Sequence, residues 1–227
     1  RKGIEPIQRF LDEVAADKSQ PPFFIWHAPF LPHAPHTPPE RLLEKYLARA
    51  PNRPVALYWA MCQWFDETCG ELLYVIAARG RRDNTLVIYV VDNGWIQDPE
   101  RAHRYAGRSK RTPYEGGVRT PMMVRWPGEI TPRLDTATLV SPIDIAPTIL
   151  QAAGVDVPNS MPGIDLRQRE RLVERDAVFG SAHPHDIADV SMPTADVSSR
   201  YVVAGPRKLI VFQDSPERSE LFHPAVD

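Results

Sequence analysis

Cysteine is nearly absent from this 227-residue chain: Cys62 and Cys69, seven apart, are the only two. They make neither a CxxC motif nor a disulfide framework. Both fall in a helical stretch, where they read as packing residues rather than reactive thiols. An excess of one charge sign is missing too. The net charge of −2 excludes a general nucleic-acid or polyanion binder, which carries a strongly basic face. No apolar run approaches the ~20 residues of a membrane-spanning helix. No signal peptide, internal repeat or low-complexity tract stands out. The chain opens on Arg1 rather than methionine, and it reads as part of a longer protein. A nucleophile is also missing, since no serine or cysteine sits in a sharp strand-to-helix turn. What the chain has in quantity is proline, 24 residues. Because apolar runs separate them, they imply long ordered loops rather than disorder.

The apolar pattern fits one large core in an α/β protein. Ile4, Ile7, Phe10, Leu11 and Val14 recur at helical spacing. Residues 22–26 read as a short buried strand, and residues 28–39, with five prolines and two histidines, as an ordered loop. Pro39 suits the first position of a helix over residues 40–49. Residues 55–79 make the clearest helix, stopped by Gly80. Residues 85–91 are a continuous β-branched run expected to be a strand buried on both faces. A second strand is expected over 121–126 and a helix over 143–153, with Asp144 in its first turn. This alternation implies a sheet covered by helices on both sides. Residues 167–176 are dense in charge and read as a solvated connector or short helix. Short strands at 177–179, 201–204 and 209–212 then favour a small antiparallel sheet. The boundary between 1–166 and 167–227 falls in that charged stretch.

Three clusters carry chemistry. Asp92-Asn93-Gly94 follows the central strand, where α/β sheets place their ligands. A carboxylate and an amide carbonyl are hard oxygen donors suited to Ca²⁺ or Mg²⁺, with Gly94 turning the backbone behind them; Asn-Gly is equally a turn signal. His33 lies in a rigid proline loop after a strand, with His36 close behind. It is placed to act on a substrate, or to cap a loop carbonyl. The run from His103 to Arg111 gathers five cationic or potentially cationic groups, including Lys110, before Glu115-Gly116-Gly117. It suits a compact anion such as sulfate or phosphate, or is a solvated loop. Together a hard-cation site, a lysine and a histidine supply what sulfuryl or phosphoryl transfer needs.

On these residues the chain resembles the sulfatases of the alkaline phosphatase superfamily. The resemblance rests on Pro22-Phe-Phe-Ile-Trp followed by Pro32-His33-Ala-Pro, on Trp64-Phe-Asp-Glu-Thr, and on Asp83-Asn-Thr-Leu-Val-Ile leading to Asp92-Asn-Gly. It continues through Lys110, Tyr114-Glu-Gly-Gly-Val-Arg-Thr-Pro, Val124-Arg-Trp-Pro-Gly and Ser141-Pro-Ile-Asp-Ile-Ala-Pro, and Tyr201-Val-Val-Ala-Gly, Lys208-Leu-Ile and Glu220-Leu-Phe are similar to the family's C-terminal strands. The resemblance implies an alkaline phosphatase-like mixed, mostly parallel sheet flanked by helices, with a small C-terminal antiparallel sheet. It implies hydrolysis of a sulfate ester with one divalent cation, usually Ca²⁺, and a formylglycine nucleophile made from a cysteine or serine. By position, Asp92 and Asn93 would be two cation ligands. Lys110 would contact the sulfate and the bridging oxygen. His33 would contact the sulfate and help protonate the leaving group. His36 lies outside the matching position and is substrate-lining at best, and His185 is a candidate lining residue from the C-terminal piece.

One departure is large. The formylglycine motif, cysteine or serine followed by x-Pro or x-Ala and then x-Arg, occurs at neither cysteine. The family's other cation ligands, an early pair of aspartates, and the histidine and lysine beside the formylglycine are absent as well. The expectation is therefore the later portion of a sulfatase, inactive alone, whose substrate is a sulfated small molecule or glycan. A phosphonate or phosphate ester hydrolase of the same superfamily, and a non-catalytic fragment that binds sulfated glycans, are the alternatives. A periplasmic or secreted site is suggested by the resemblance alone.

Overall fold

The computed structural model describes residues 3–184, 186 and 189–223. The chain divides into two compact units, Arg1–Thr85 with Gln97–Ala106 and Trp126–Glu129, and Leu86–Ile96 with Gly107–Arg125 and Ile130–Asp227.

The first unit is helical: α1 (Glu5–Ala16), α2 (Glu40–Leu47) and α3 (Arg53–Ala78). Pro39 is the N-cap of α2 rather than its first residue, with an extended ψ of 141°. Asn52 caps α3 by accepting the Val55 N–H at 3.0 Å, and Pro54 fits the first turn where no N–H is needed. Gly80, at φ +67°, takes the left-handed conformation that ends α3. Two apolar clusters hold the unit. Ile4 and Leu11 of α1 meet Val75 and Ile76 of α3, while Leu43 of α2 meets Ala56 and Leu57 of α3. Arg79 ties α3 back to Asp12 of α1 at 2.6 Å. Cys62 and Cys69 are half-buried in α3, and burial pushes both thiols up, which fits their role in packing.

Residues 22–26 are not a strand, contrary to the sequence pattern. They alternate, with Phe23 and Ile25 packed on the first cluster and Phe24 and Trp26 62% and 84% exposed. The period of two is real, but among the described residues no neighbouring strand pairs with the segment.

The second unit contains β1 (Val87–Val90), the one-turn helix α4 (Glu115–Val118) and β2 (Met122–Arg125). β1 and β2 pair antiparallel, Val87 opposite Arg125 and Val90 opposite Met122. Both sheets among the described residues are antiparallel, so the parallel pairing the resemblance implies is not formed by these strands. The expectation that β1 is buried on both faces is corrected, since its residues are half-buried or exposed. An apolar run predicts what a strand can tolerate around it, and only a neighbouring strand brought by a crossover can make the sheet parallel.

A 3₁₀ turn (Pro142–Asp144) leads into α5 (Ile145–Ala152). Asp144 does more here than favour a helix start. It is fully buried and accepts the backbone N–H groups of Ser141 and Ile164 at 2.8 Å each. Arg175, just after α6 (Arg169–Val173), grips both Asp144 oxygens at 2.7 and 2.6 Å. The charged stretch is thus only partly solvated, because Arg175 and Leu172 turn inward.

β3 (Ala177–Ala182), β4 (Ser199–Ala204), β5 (Arg207–Phe212) and β6 (Ser215–Phe222) form an antiparallel sheet in that order. The small C-terminal antiparallel sheet is therefore present, with one strand more than the apolar runs suggested. The apolar pattern misses β6 because Glu217, Arg218 and Glu220 give it a polar sequence, although the resemblance marks Glu220-Leu-Phe. Along β5, Lys208 and Ile210 face inward with 1% and 0% exposure, while Leu209 and Val211 alternate outward.

Candidate active site

Asp92, Asn93 and Gly94 leave the end of β1 as a tight turn. Asp92 is exposed, and its Oδ1 accepts the Asn93 N–H at 2.9 Å. Asn93 Nδ2 donates to the Gly94 carbonyl at 3.0 Å, so Oδ1 is the amide atom left to face an electropositive partner. Thr120 anchors the preceding peptide by donating to the Val91 carbonyl at 3.0 Å.

Gly94 is needed for closeness rather than for turning. It is not among the glycines with positive φ. A Cβ there would lie 2.2 Å from the Gly116 oxygen. Its N–H donates to the Gly117 carbonyl at 2.8 Å. The two glycines of α4 are pressed as tightly from the other side. A Cβ on Gly116 would meet the Arg108 oxygen at 2.7 Å, and one on Gly117 the Ser109 and Thr112 oxygens at 2.4 Å.

Ser109 closes this node. It is fully buried, accepts the Ile96 N–H at 2.6 Å and directs its hydroxyl toward the Gly116 carbonyl at 3.5 Å. Lys110 follows directly, with Nζ 5.8 Å from the centre of the Trp95 ring. Arg108 and Arg111, on either side, hold left-handed backbone with φ of 54° and 66°. Non-glycine residues adopt that region at a cost, and it clusters at functional sites. The structure therefore fastens the Asp92-Asn93 segment and the Lys110 segment to one glycine turn.

A cation at this turn would find hard oxygen donors in Asp92 and Asn93, the right chemistry for Ca²⁺. Two ligands are a portion of the six to eight oxygens calcium takes. Among the described residues no group of three His, Cys, Asp or Glu side chains is placed to hold a metal. The two residues fit the ion as part of a site.

The turn is also held from the C-terminal sheet. Lys208 Nζ lies 2.7 Å from Glu115 Oε1 and 4.7 Å from the centre of the Tyr201 ring. The Tyr114 hydroxyl donates toward the Glu220 carboxylate, at 3.1 and 3.2 Å from its two oxygens. The Tyr114 ring meets Phe222 edge-on at 5.7 Å. Ser109 and Glu115 lie within the cluster the sequence marks out, and Lys208 within a strand the resemblance covers, but none of the three carried a role of its own. The available signal for Lys208 was its phase: it shares the inward face of β5 with Ile210.

His33 belongs to the first unit. Its Nδ1 lies 2.7 Å from the Ala34 carbonyl. A carbonyl only accepts, so Nδ1 carries the hydrogen and the ring presents Nε2 outward. The ring leans on Phe30 with centres 4.8 Å apart, and the side chain is exposed. The carbonyl-capping reading thus holds for Nδ1 and leaves Nε2 open to another partner.

His36 is not substrate-lining, as expected at best, because it is only 2% exposed. It packs between Tyr58 and His103, and its N–H donates to His103 Nδ1 at 2.9 Å. Burial, then the positive fields of His103 and His33, push its pKa down to about 4. His103 and Arg104 fall in the first unit and Arg108, Lys110 and Arg111 in the second. Arg108 lies over the Tyr114 ring at 4.6 Å. His185 lies outside the described residues.

A family model described as Sulfatase matches residues 4–155. A second, described as N-sulphoglucosamine sulphohydrolase, C-terminal, matches residues 103–227. The chain belongs to the sulfatase family. It is 33% identical to human arylsulfatase A over 175 residues, which cover 72% of this chain and 32% of that protein. Among solved structures it is similar to Ps i-CgsB in complex with k-i-k-neocarrahexaose, at a TM-score of 0.75 and 21% identity over 96% of this chain and 47% of that one. It is also similar to the phosphonate monoester hydrolase SpPMH from Silicibacter pomeroyi, at 0.59 and 22% over 76% and 35%. The chain spans about a third of the length of the relative and less than half of either solved structure. The fold is thus that of the alkaline phosphatase-like sulfatases. Among the described residues no helix is long and apolar enough to cross a membrane.

Proposed function

We propose that this chain is the later part of the catalytic domain of a sulfatase that hydrolyses a sulfate ester with one bound divalent cation, Ca²⁺. The observation that carries the proposal is the glycine turn. It holds two hard oxygen donors and a lysine on one backbone-to-backbone scaffold, in a chain of the sulfatase family. The cation would supply charge neutralisation at the sulfate oxygens and at the nucleophile. The formylglycine nucleophile is expected outside these residues, as are the remaining ligands and the strands that would make the larger sheet mostly parallel. The division at 166/167 is retained as a proposed subdomain boundary.

In this reading Asp92 and Asn93 would hold the cation through their side-chain oxygens. Lys110 places its ammonium against a sulfate oxygen and the bridging oxygen, where negative charge grows as the S–O bond breaks. Its neighbours Arg108 and Arg111 add to the local positive potential. His33 delivers a proton from Nε2 to the departing alkoxide, with Nδ1–H kept in place by the Ala34 carbonyl. His185 would line the substrate cleft. The substrate is a sulfated glycan or small molecule.

The test uses the full-length gene product on aryl sulfate and aryl phosphate esters. Lys110→Ala is expected to lower kcat by ~10²–10³, the scale for removing one charge-stabilising group. Asp92→Ala is expected to abolish turnover and the calcium-dependent rise in Tm. Near-normal kinetics in Asp92→Ala would remove the metal assignment. A second reading, a phosphonate or phosphate ester hydrolase, is favoured by the likeness to SpPMH. A preference for phosphate or phosphonate esters by orders of magnitude would establish it instead.

A further inference from the structure

Lys208 carries a full charge into the interior of the C-terminal sheet, at 1% exposure. An apolar residue in the same inward phase as Ile210 would serve stability as well, because taking a charge out of water is costly even when it is paired. Such a charge is explained by what its direction fixes. Its ammonium meets Glu115 Oε1 at 2.7 Å, and Glu115 is the first residue of the turn whose Gly117 carbonyl receives the Gly94 N–H. Tyr114, the residue before, is held by Glu220 and Phe222 of β6. Two consecutive residues at the head of the glycine turn are thus fastened to two adjacent strands of one sheet. Arg119 also pairs with Glu115, at 3.8 Å, but it is mostly exposed and cannot replace a buried partner.

We propose that Lys208 is a positioning residue that acts through Glu115 to seat the glycine turn, and through it the Asn93–Gly94 peptide and Lys110. The proposal rests on the reading of Asp92, Asn93 and Lys110 as the reacting site. A purely structural ion pair would add stability and leave the geometry of the folded site alone. A positioning pair changes the site in molecules that are still folded.

The experiment compares full-length wild type with Lys208→Met, Lys208→Arg and the double variant Glu115→Gln/Lys208→Met. Amide hydrogen exchange is followed by mass spectrometry in peptides covering residues 93–96 and 115–118, together with kcat and KM for an aryl sulfate well below each Tm. Lys208→Met is expected to speed exchange in both peptides about tenfold and to lower kcat about 10- to 100-fold with little change in KM, since a site displaced by about 1 Å loses on the order of 10² in rate. Lys208→Arg keeps the charge and is expected to retain most of the protection and rate. The double variant, which removes the stranded carboxylate, is expected to recover part of both. Lys208→Met with a lower Tm but wild-type exchange and kcat would overturn the proposal. If Lys208→Met does not fold, Glu115→Gln alone decides, as unchanged exchange at residues 93–96 overturns it equally. Wild type inactive on sulfate esters, or unaffected by Lys110→Ala, would sink the functional reading instead. The exchange data would still judge the link from Lys208 to Gly94.

Discussion

Replacing Gly94 by alanine adds one methyl group, and the structure sets what that group meets. The new carbon would lie 2.2 Å from the Gly116 oxygen and 2.8 Å from its carbonyl carbon, against an ordinary contact of 3.4–4 Å. Both neighbours are backbone, so no rotamer change relieves the clash, and the two segments must part by roughly 1 Å in a close-packed interior. That movement weakens the Gly94 N–H bond to the Gly117 carbonyl, now 2.8 Å, a loss of ~1 kcal/mol. Overpacking strain adds ~1–3 kcal/mol. Because Gly94 has no left-handed backbone, alanine accepts the conformation, and the stiffer unfolded chain returns ~0.4–1 kcal/mol. The net expectation is a destabilisation of ~1–3.5 kcal/mol by urea denaturation of the full-length protein. Gly107 is the control, since nothing lies within 4 Å of a Cβ there and its φ is not positive. Gly107→Ala is expected to stay within ~0.5 kcal/mol of wild type, as surface substitutions do. The same displacement moves Asn93 relative to Lys110, so kcat on an aryl sulfate is expected to fall ~10²-fold. Gly94→Ala with wild-type stability and an unchanged calcium-induced rise in Tm would refute the close-packing argument.

Two further outcomes concern stability. Removing the Asp144 carboxylate (Asp144→Ala) strands the Arg175 guanidinium, which is 10% exposed at the side chain, and is expected to cost ~3–5 kcal/mol in the urea midpoint. Burial alone would raise the Asp144 pKa, but Arg175 and the Ile164 and Ser141 N–H groups hold it below its ordinary value. Its contribution is therefore present above the ordinary carboxylate pKa of 3.8 and lost as pH falls through the depressed one. His36 titrates at about 4 when folded and near 6.5 when unfolded. The unfolded chain takes up that proton first, so stability is complete above about pH 6.5 and falls by ~3 kcal/mol toward pH 4. Thermal melts across that range check this, and His36→Gln is expected to flatten the slope. An equal slope in the variant would assign the dependence to other groups.

What was legible in the sequence was what periodicity and local chemistry determine. α1 and α3 follow their apolar spacing, and the C-terminal strands follow alternation. The Asp92-Asn93-Gly94 segment and Lys110 were identified as residues. The tie that brings their segments together was not, because it is made of peptide groups and absent side chains. Nothing in the letters of Glu115-Gly116-Gly117 says which carbonyls press on them. Residues 22–26, which form no strand, and residues 85–91, which form β1 without burial on both faces, depart for a related reason: an apolar run reports tolerance for neighbours without naming the strand that pairs with it. β6 was hidden from the apolar pattern by its charges and marked only by the resemblance at Glu220-Leu-Phe, although Glu220 is one of the residues that holds Tyr114. Lys208 was visible as a charge in phase with a core residue, a conflict between local chemistry and position of the sort expected at functional sites.

The glycine node also bears on why the C-terminal sheet accompanies the site at all. Gly94, Gly116 and Gly117 bring three segments together at the cost of removing every side chain that might otherwise interlock them. Dispersion between bare backbones has little directional preference, and the Gly94 N–H bond to the Gly117 carbonyl at 2.8 Å fixes the contact at one point. The rest of the direction has to come from further bonds that point. Ser109 supplies one from within, through the Ile96 N–H at 2.6 Å. Lys208 and Glu220 supply two from the sheet, at residues 115 and 114. A sheet delivers such groups well, since β5 and β6 are locked in register, Lys208 opposite Phe222 and Ile210 opposite Glu220. The spacing between the two anchors is then set by strand pairing and does not depend on either side chain alone. The turn is close-packed because of its glycines and correctly aimed because of the sheet, and a site that must hold a cation and a lysine together needs both.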